Sequence, residues 1–169
     1  MEEPRDPATT SPSKGATAPA QAGRQRWVLG LQLLGARYAF DVPQVTELVR
    51  IGPLTRIPAA PTFLRGVFTH RGEVLPALDV NRLVGRPAIP VRPGTRAVIV
   101  QSHPWRIAVI AEGVEGLIGI PEERLEPPPA QGSGIAEFLS AIGQDERGPL
   151  AGIDLARLIQ VARVRSVPA

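Results

Sequence analysis

The stretch LPALDVNRLV at 75–84 returns at 150–159 as LAGIDLARLI. Leu75, Asp79, Arg82 and Leu83 recur at equal spacing as Leu150, Asp154, Arg157 and Leu158. Each copy reads as a short aliphatic strand whose closing aspartate caps a helix held down by two aliphatics. A weaker echo runs in step with it, AFDVPQVTELVRI at 39–51 against AVIAEGVEGLIGI at 108–120. Supersecondary pieces repeated in the same order restrict the chain to an internally duplicated architecture. The expectation is two related β subdomains, about 27–90 and 91–165, each a small barrel with a helical trailer.

A chain of 169 residues with 43% hydrophobic and 4% aromatic content can build such a core from Val, Ile, Leu and Ala, with few aromatic anchors. The absence of cysteine excludes disulfides, thiolate metal sites and a thiol nucleophile. No apolar run reaches the roughly 18 residues of a membrane-spanning helix, and no signal-peptide core precedes Trp27, so a cytoplasmic location is expected. Residues 1–25 are dominated by Pro, Ala, Ser, Thr and Gly, a composition that reads as a disordered leader ahead of an ordered domain at 26–165.

Within that domain, WVLGLQLLG and YAFDV read as strands about a turn at Gly35-Ala36-Arg37. VTELVRI is ambiguous between strand and helical turn. In TRIPAAPTFLRG the prolines break any long element, and Gly66 reads as the close of a short helix. GVFTHRGEVLPALDV reads as a hairpin turning at His70-Arg71-Gly72, followed by a helix that Asp79 caps and Gly85 stops. RAVIVQSHPWRIAVIAEGVEGLIGI supplies two or three strands around Ser102-His103-Pro104. IAEFLSAIG is helical by pattern alone, and PLAGI leads into a last helix, DLARLI, capped by Asp154.

His70 and His103, 33 residues apart and each in a turn, have no metal-ligand spacing. There is no G-x-S-x-G elbow and no P-loop; GSG at 132–134 lacks the lysine, and Ser133 and Ser140 have no base nearby in sequence. The chain is therefore read as a non-enzyme without a cofactor or metal. Residues 27–110 carry ten arginines against four acids, and residues 111–169 five against nine. Those arginines form no clustered stripe and have little aromatic interleaving, which favours charge-complementary protein partners. No nucleic-acid partner is expected, and a basic double-barrel module binding nucleic acid is the alternative reading.

Val45, Glu47, Pro61, Phe63, Gly66, Arg71, Gly72, Pro76 and Asp79 fall on a nested pattern. It runs V-x-E-I-x-R, then P-x-F-aliphatic-x-G, an N-L-R-G turn, and V-I-P followed by two aliphatics and D-L. In this order the pattern resembles the CheW-like family of chemotaxis coupling proteins over about residues 27–160. The turn departs from it, reading Thr69-His70-Arg71-Gly72, and Glu112 stands where aspartate is commoner.

The resemblance implies a mainly β fold of two SH3-like five-stranded β-barrels sharing an apolar core, with short helices. It implies an adaptor recruited to membrane-associated receptor arrays without inserting into the membrane. Its partners would be the cytoplasmic signalling tip of chemoreceptors, docked in a groove between the barrels, and the regulatory domain of a chemotaxis histidine kinase, paired end to end with the first barrel. Carried over by position, Val45, Glu47, Gly66 and Arg71 become partner-binding residues, with Val45 and Gly66 in the groove and Arg71 as a polar anchor. Arg71 otherwise reads as a plain hairpin residue, and Glu47 as the partner of Arg50 or Arg71. Gly72 reads as a turn residue, and Asp79 and Asp154 as caps. His70, the departure from the pattern, is the position expected to tune partner choice.

Overall fold

The computed structural model describes residues 23–130 and 132–167. The leader expected over 1–25 falls almost wholly outside them, and Gln25 already belongs to the first strand. The strands are β1 (Gln25–Leu33), β2 (Ala36–Asp41), β3 (Val45–Arg50), β4 (Leu64–His70), β5 (Glu73–Leu78), β6 (Arg96–Ser102), β7 (Trp105–Ile110), β8 (Gly113–Pro121), β9 (Leu139–Asp145) and β10 (Gly148–Ile153). Helix α1 (Val80–Leu83) follows β5, and α2 (Leu155–Val164) follows β10. Two five-stranded sheets result, ordered β8-β1-β2-β10-β9 and β3-β6-β7-β5-β4.

The duplication is present, but the barrels do not divide at residue 90. β3 to β7 form one barrel without interruption, here the continuous barrel, while β1 and β2 join β8, β9 and β10 in a split barrel. The exchange happens at two matching junctions. Chain leaving the β1–β2 hairpin crosses through a 3-10 turn at Val42–Gln44 into β3 of the other sheet, and chain leaving β6–β7 crosses at 111–112 into β8.

Both barrels close in the same way. Past β3 the Thr55 backbone exchanges two hydrogen bonds with Val67 of β4, at 2.8 and 2.9 Å. Past β8, Glu126 does the same with Ile142 of β9, both at 2.8 Å.

The strand exchange explains the near-continuous apolar runs in β1 and β6, because such strands bury both faces. Ala97, Val98, Ile99 and Val100 are all fully buried. In β1, Leu29, Leu31 and Leu33 enter the large core that both barrels share, whereas Val28 joins Ala39, Ile120 and Leu150 in a smaller cluster within the split barrel. Helix α2 adds Leu155, Leu158, Ile159 and Ala162, spaced i, i+3, i+4 and i+7 on one face. Glu112 ties the second junction to the rest: its carboxylate accepts from the Gly35 N–H (3.0 Å) and from Asn81 Nδ2 on α1 (2.9 Å).

Three local readings change. IAEFLSAIG is not one helix but a 3-10 segment at Gly134–Phe138 running into β9. Arg37 is not a turn residue; the turn is Leu34-Gly35, and Arg37 lies in β2. Gly66 closes no helix. It lies inside β4 at a register shift with φ of 141°, and a Cβ there would come 2.5 Å from the Thr55 carbonyl oxygen that closes the barrel. Only glycine fits that approach. Gly66→Ala is expected to cost about 1–3 kcal/mol from backbone strain alone, plus the displacement of Thr55. A urea midpoint equal to wild type would refute this.

Candidate partner-binding surface

His70 and Glu73 face each other in register, leaving Arg71-Gly72 as a two-residue loop. Both loop residues have positive φ, 50° and 82°, the requirement of a type I′ hairpin turn. Arg71 is thus held in the left-handed region, which costs a non-glycine residue about 1–2 kcal/mol. Its side chain is 75% exposed. From β3, the Glu47 carboxylate meets this turn, pairing with His70 Nε2 at 3.0 Å and accepting from the Arg71 guanidinium at 2.9 Å. The hydrogen bond from His70, helped by the Arg71 charge, holds the Glu47 carboxyl below its usual range. Beside them Arg106 of β7 pairs with Glu73, and Val74 of β5 stands exposed.

The structure therefore gathers Glu47, His70 and Arg71 at one end of the continuous barrel and leaves the other two carried-over residues elsewhere. Val45 is half-buried on β3 against the shared core. Gly66 is buried and does not line the groove between the barrels. That groove, about 380 Å³, is bordered by Leu48, Val49, Arg50 and Arg96 on one side and by Val114, Glu115 and Gly116 on the other. The caps are unequal. The Asp79 carboxylate accepts from the Arg82 N–H, the Ile89 N–H and Arg65 Nη1, and that of Asp154 accepts from the Arg157 N–H. Among the described residues no group of three or more His, Asp or Glu is placed to hold a metal.

A second polar network escaped the sequence reading, and the internal pseudo-symmetry exposes it. The pair Gln32↔Arg37 of the β1–β2 hairpin occupies the same register position as Gln101↔Arg106 of β6–β7. Arg37 spans Glu115 and Asp145, with five contacts to the two carboxylates between 2.7 and 3.0 Å and a sixth to the Gly148 carbonyl at 3.1 Å. The hydrogen bonds that Arg37 donates to Asp145 and Glu115 raise the Arg37 pKa and lower both acids, Asp145 to about 2.

In the continuous barrel the network is incomplete. The register shift in β8 falls on Glu115, but the matching shift in β3 falls on Thr46, so the acid moves one place on to Glu47. Glu47 is taken up by the hairpin turn, and Arg106 Nε is left buried without a partner among the described residues. One barrel end thus holds its two acids with Arg37, and with Arg147 3.9 Å from Glu115, whereas at the other Arg106 pairs with Glu73 and Glu47 is drawn to the hairpin turn.

The strand exchange also sharpens the charge asymmetry. Residues 42–110 carry nine arginines against three acids, while residues 23–41 and 111–167 together carry eight against ten. No helix among the described residues is long and apolar enough to cross a membrane.

Comparison with known proteins agrees with this architecture. Protein FrzA of Myxococcus xanthus is 36% identical over 150 residues, covering 88% of this chain and 94% of that protein. Chemotaxis protein CheW of Klebsiella aerogenes is 23% identical over 123 residues, covering 72% of this chain and 74% of that one. The crystal structure of the scaffolding protein TtCheW from Thermoanaerobacter tengcongensis superimposes with a TM-score of 0.71 at 25% identity, covering 78% of this chain and 90% of that chain. The model of the CheW-like domain matches residues 28–163. The duplicated two-barrel chain described above therefore belongs to the CheW-like domain family.

Proposed function

We propose that this protein is a non-catalytic adaptor that couples chemoreceptors to a chemotaxis histidine kinase. In this reading a receptor signalling tip docks in the groove between β3 and β8, and the kinase regulatory domain pairs with the end of the continuous barrel. The observation that carries it is the inequality of the two barrel ends. The Arg37 network satisfies its own charges with side chains 9–18% exposed. The Glu47–His70–Arg71 network lies at the surface, where solvent screens the ion pairs and they exchange easily for a partner's carboxylate.

Co-precipitation of the full chain with the cognate kinase regulatory domain, and separately with a receptor signalling hairpin, tests the reading. Binding to both is expected, and binding to neither sinks it. Arg71→Asn gives a cleaner probe of the anchor, because asparagine followed by glycine suits a type I′ turn. The variant should be as stable as wild type or slightly more so, yet bind the kinase domain about tenfold more weakly, the loss of one charge-assisted hydrogen bond. Unchanged affinity by calorimetry would remove Arg71 from the interface.

A further inference from the structure

The two barrels carry equivalent cross-strand pairs with opposite chemistry, and the pair of the continuous barrel lines the groove. In the split barrel the pair is Trp27↔Gly119. A Cβ added to Gly119 would lie 3.2 Å from the indole, so the ring covers the strand. In the continuous barrel the pair is Arg50↔Arg96. Like charges directly opposite one another destabilise a sheet. Both arginines are exposed, and neither forms an ion pair among the described residues. Both line the groove beside Leu48, which is 47% exposed. The acid in that lining, Glu115, is already committed to Arg37.

We propose that Arg50 and Arg96 clamp a carboxylate on the helical segment that docks in this groove, while Leu48 receives an apolar side chain from the same helix face. The clamp rests on the adaptor reading above, and it names the residues that select the partner. Its chemistry follows from charge: two facing guanidiniums without a counter-ion are stabilised by one carboxylate between them. Its spacing follows from the strand. Leu48 and Arg50 are two residues apart on one face of β3, about 6.8 Å, and a helical turn rises about 5.4 Å. The acid on the partner helix therefore stands three or four residues from its apolar anchor. The equivalent pair of the other barrel is Trp27 and Gly119 rather than two arginines, so the clamp exists once, and this gives the docked helix a direction.

The test is calorimetric titration of the full chain with the signalling-tip hairpin of its cognate receptor, for wild type and the Arg50→Gln/Arg96→Gln double variant. The double variant should bind at least roughly tenfold more weakly, reflecting lost charge-assisted hydrogen bonds. It should keep its affinity for the kinase regulatory domain and melt at the same temperature or higher, since a like-charge pair has been removed. Arg96→Glu should regain affinity when the hairpin's groove-facing acid is changed to arginine. Wild-type chain that fails to bind the hairpin overturns the adaptor reading together with the clamp. Wild-type binding matched by the double variant overturns the clamp alone. Low-salt binding of duplex DNA by the wild type that the double variant abolishes also overturns it, assigning these arginines to a phosphate backbone.

Discussion

Arg37→Met should lower stability at neutral pH by about 3–5 kcal/mol, the usual cost of removing one partner from a mostly buried ion network. Methionine keeps the unbranched apolar stem, so the loss is electrostatic rather than a cavity. It leaves Glu115 and Asp145, with side chains 9% and 18% exposed, facing each other without a cation at the centre. The pH dependence identifies the cause. Asp145 titrates at about 2 in the fold, below its ordinary 3.8, and Glu115 is displaced in the same direction. A depressed carboxyl contributes in full above its unfolded pKa, and the contribution drains away as pH falls toward the folded value. Urea midpoints of wild type and variant should therefore lie far apart at pH 7 and converge as the pH falls from about 4.5 toward 2. A gap independent of pH would mean that the arginine acts by packing alone.

How much of this the sequence discloses depends on how far each interaction reaches along the chain. The strand-aspartate-helix unit is legible because a cap bonds three residues ahead, as Asp79 does to Arg82 and Asp154 to Arg157. The β4–β5 hairpin is legible because its turn is written in Arg71 and Gly72. The pairing of the halves is not. A duplicated sequence has the same local periodicity whether each half closes on itself or trades strands with the other. The difference lies in the direction of two short junctions, at 42–44 and 111–112. Arg37 was obscured in the same way: its acids stand 78 and 108 residues away, and the nearby Gly35 makes it look like part of a turn.

The candidate site divides along the same line. Glu47, His70 and Arg71 are within 24 residues of one another, and family resemblance together with a turn motif reaches them. The resemblance carries Gly66 over to the groove by position, where a missing side chain would permit a close approach. The approach is real, but it comes from the chain's own Thr55. Arg50 and Arg96 become a pair only once β3 and β6 are in register.

The repeated aspartates make the sharpest contrast between identical motifs. Asp79→Ala should cost about 3–5 kcal/mol, and Asp154→Ala about 1 kcal/mol, the cost of a lost cap. The backbone frames agree: the Asp79 N–H donates to the Phe63 carbonyl at 2.8 Å, and the Asp154 N–H to the Phe138 carbonyl at 2.6 Å. The side chains do not. Asp154 is half-buried and only caps α2. Asp79 is fully buried and also accepts from Arg65 Nη1 at 2.8 Å and the Ile89 N–H at 2.9 Å, fastening β4 and the 86–95 connection to α1. Truncating it strands the Ile89 N–H inside the protein and leaves Arg65 bonded only to the Ile89 carbonyl. Because a domain is held by only about 5–15 kcal/mol, the variant should show a urea midpoint far below that of Asp154→Ala. Asp79→Asn should fall between them, keeping one acceptor oxygen for one of the two N–H groups but neither the second acceptor nor the charge for Arg65. Equal midpoints for the two alanine variants would mean that Asp79 is no more than a cap.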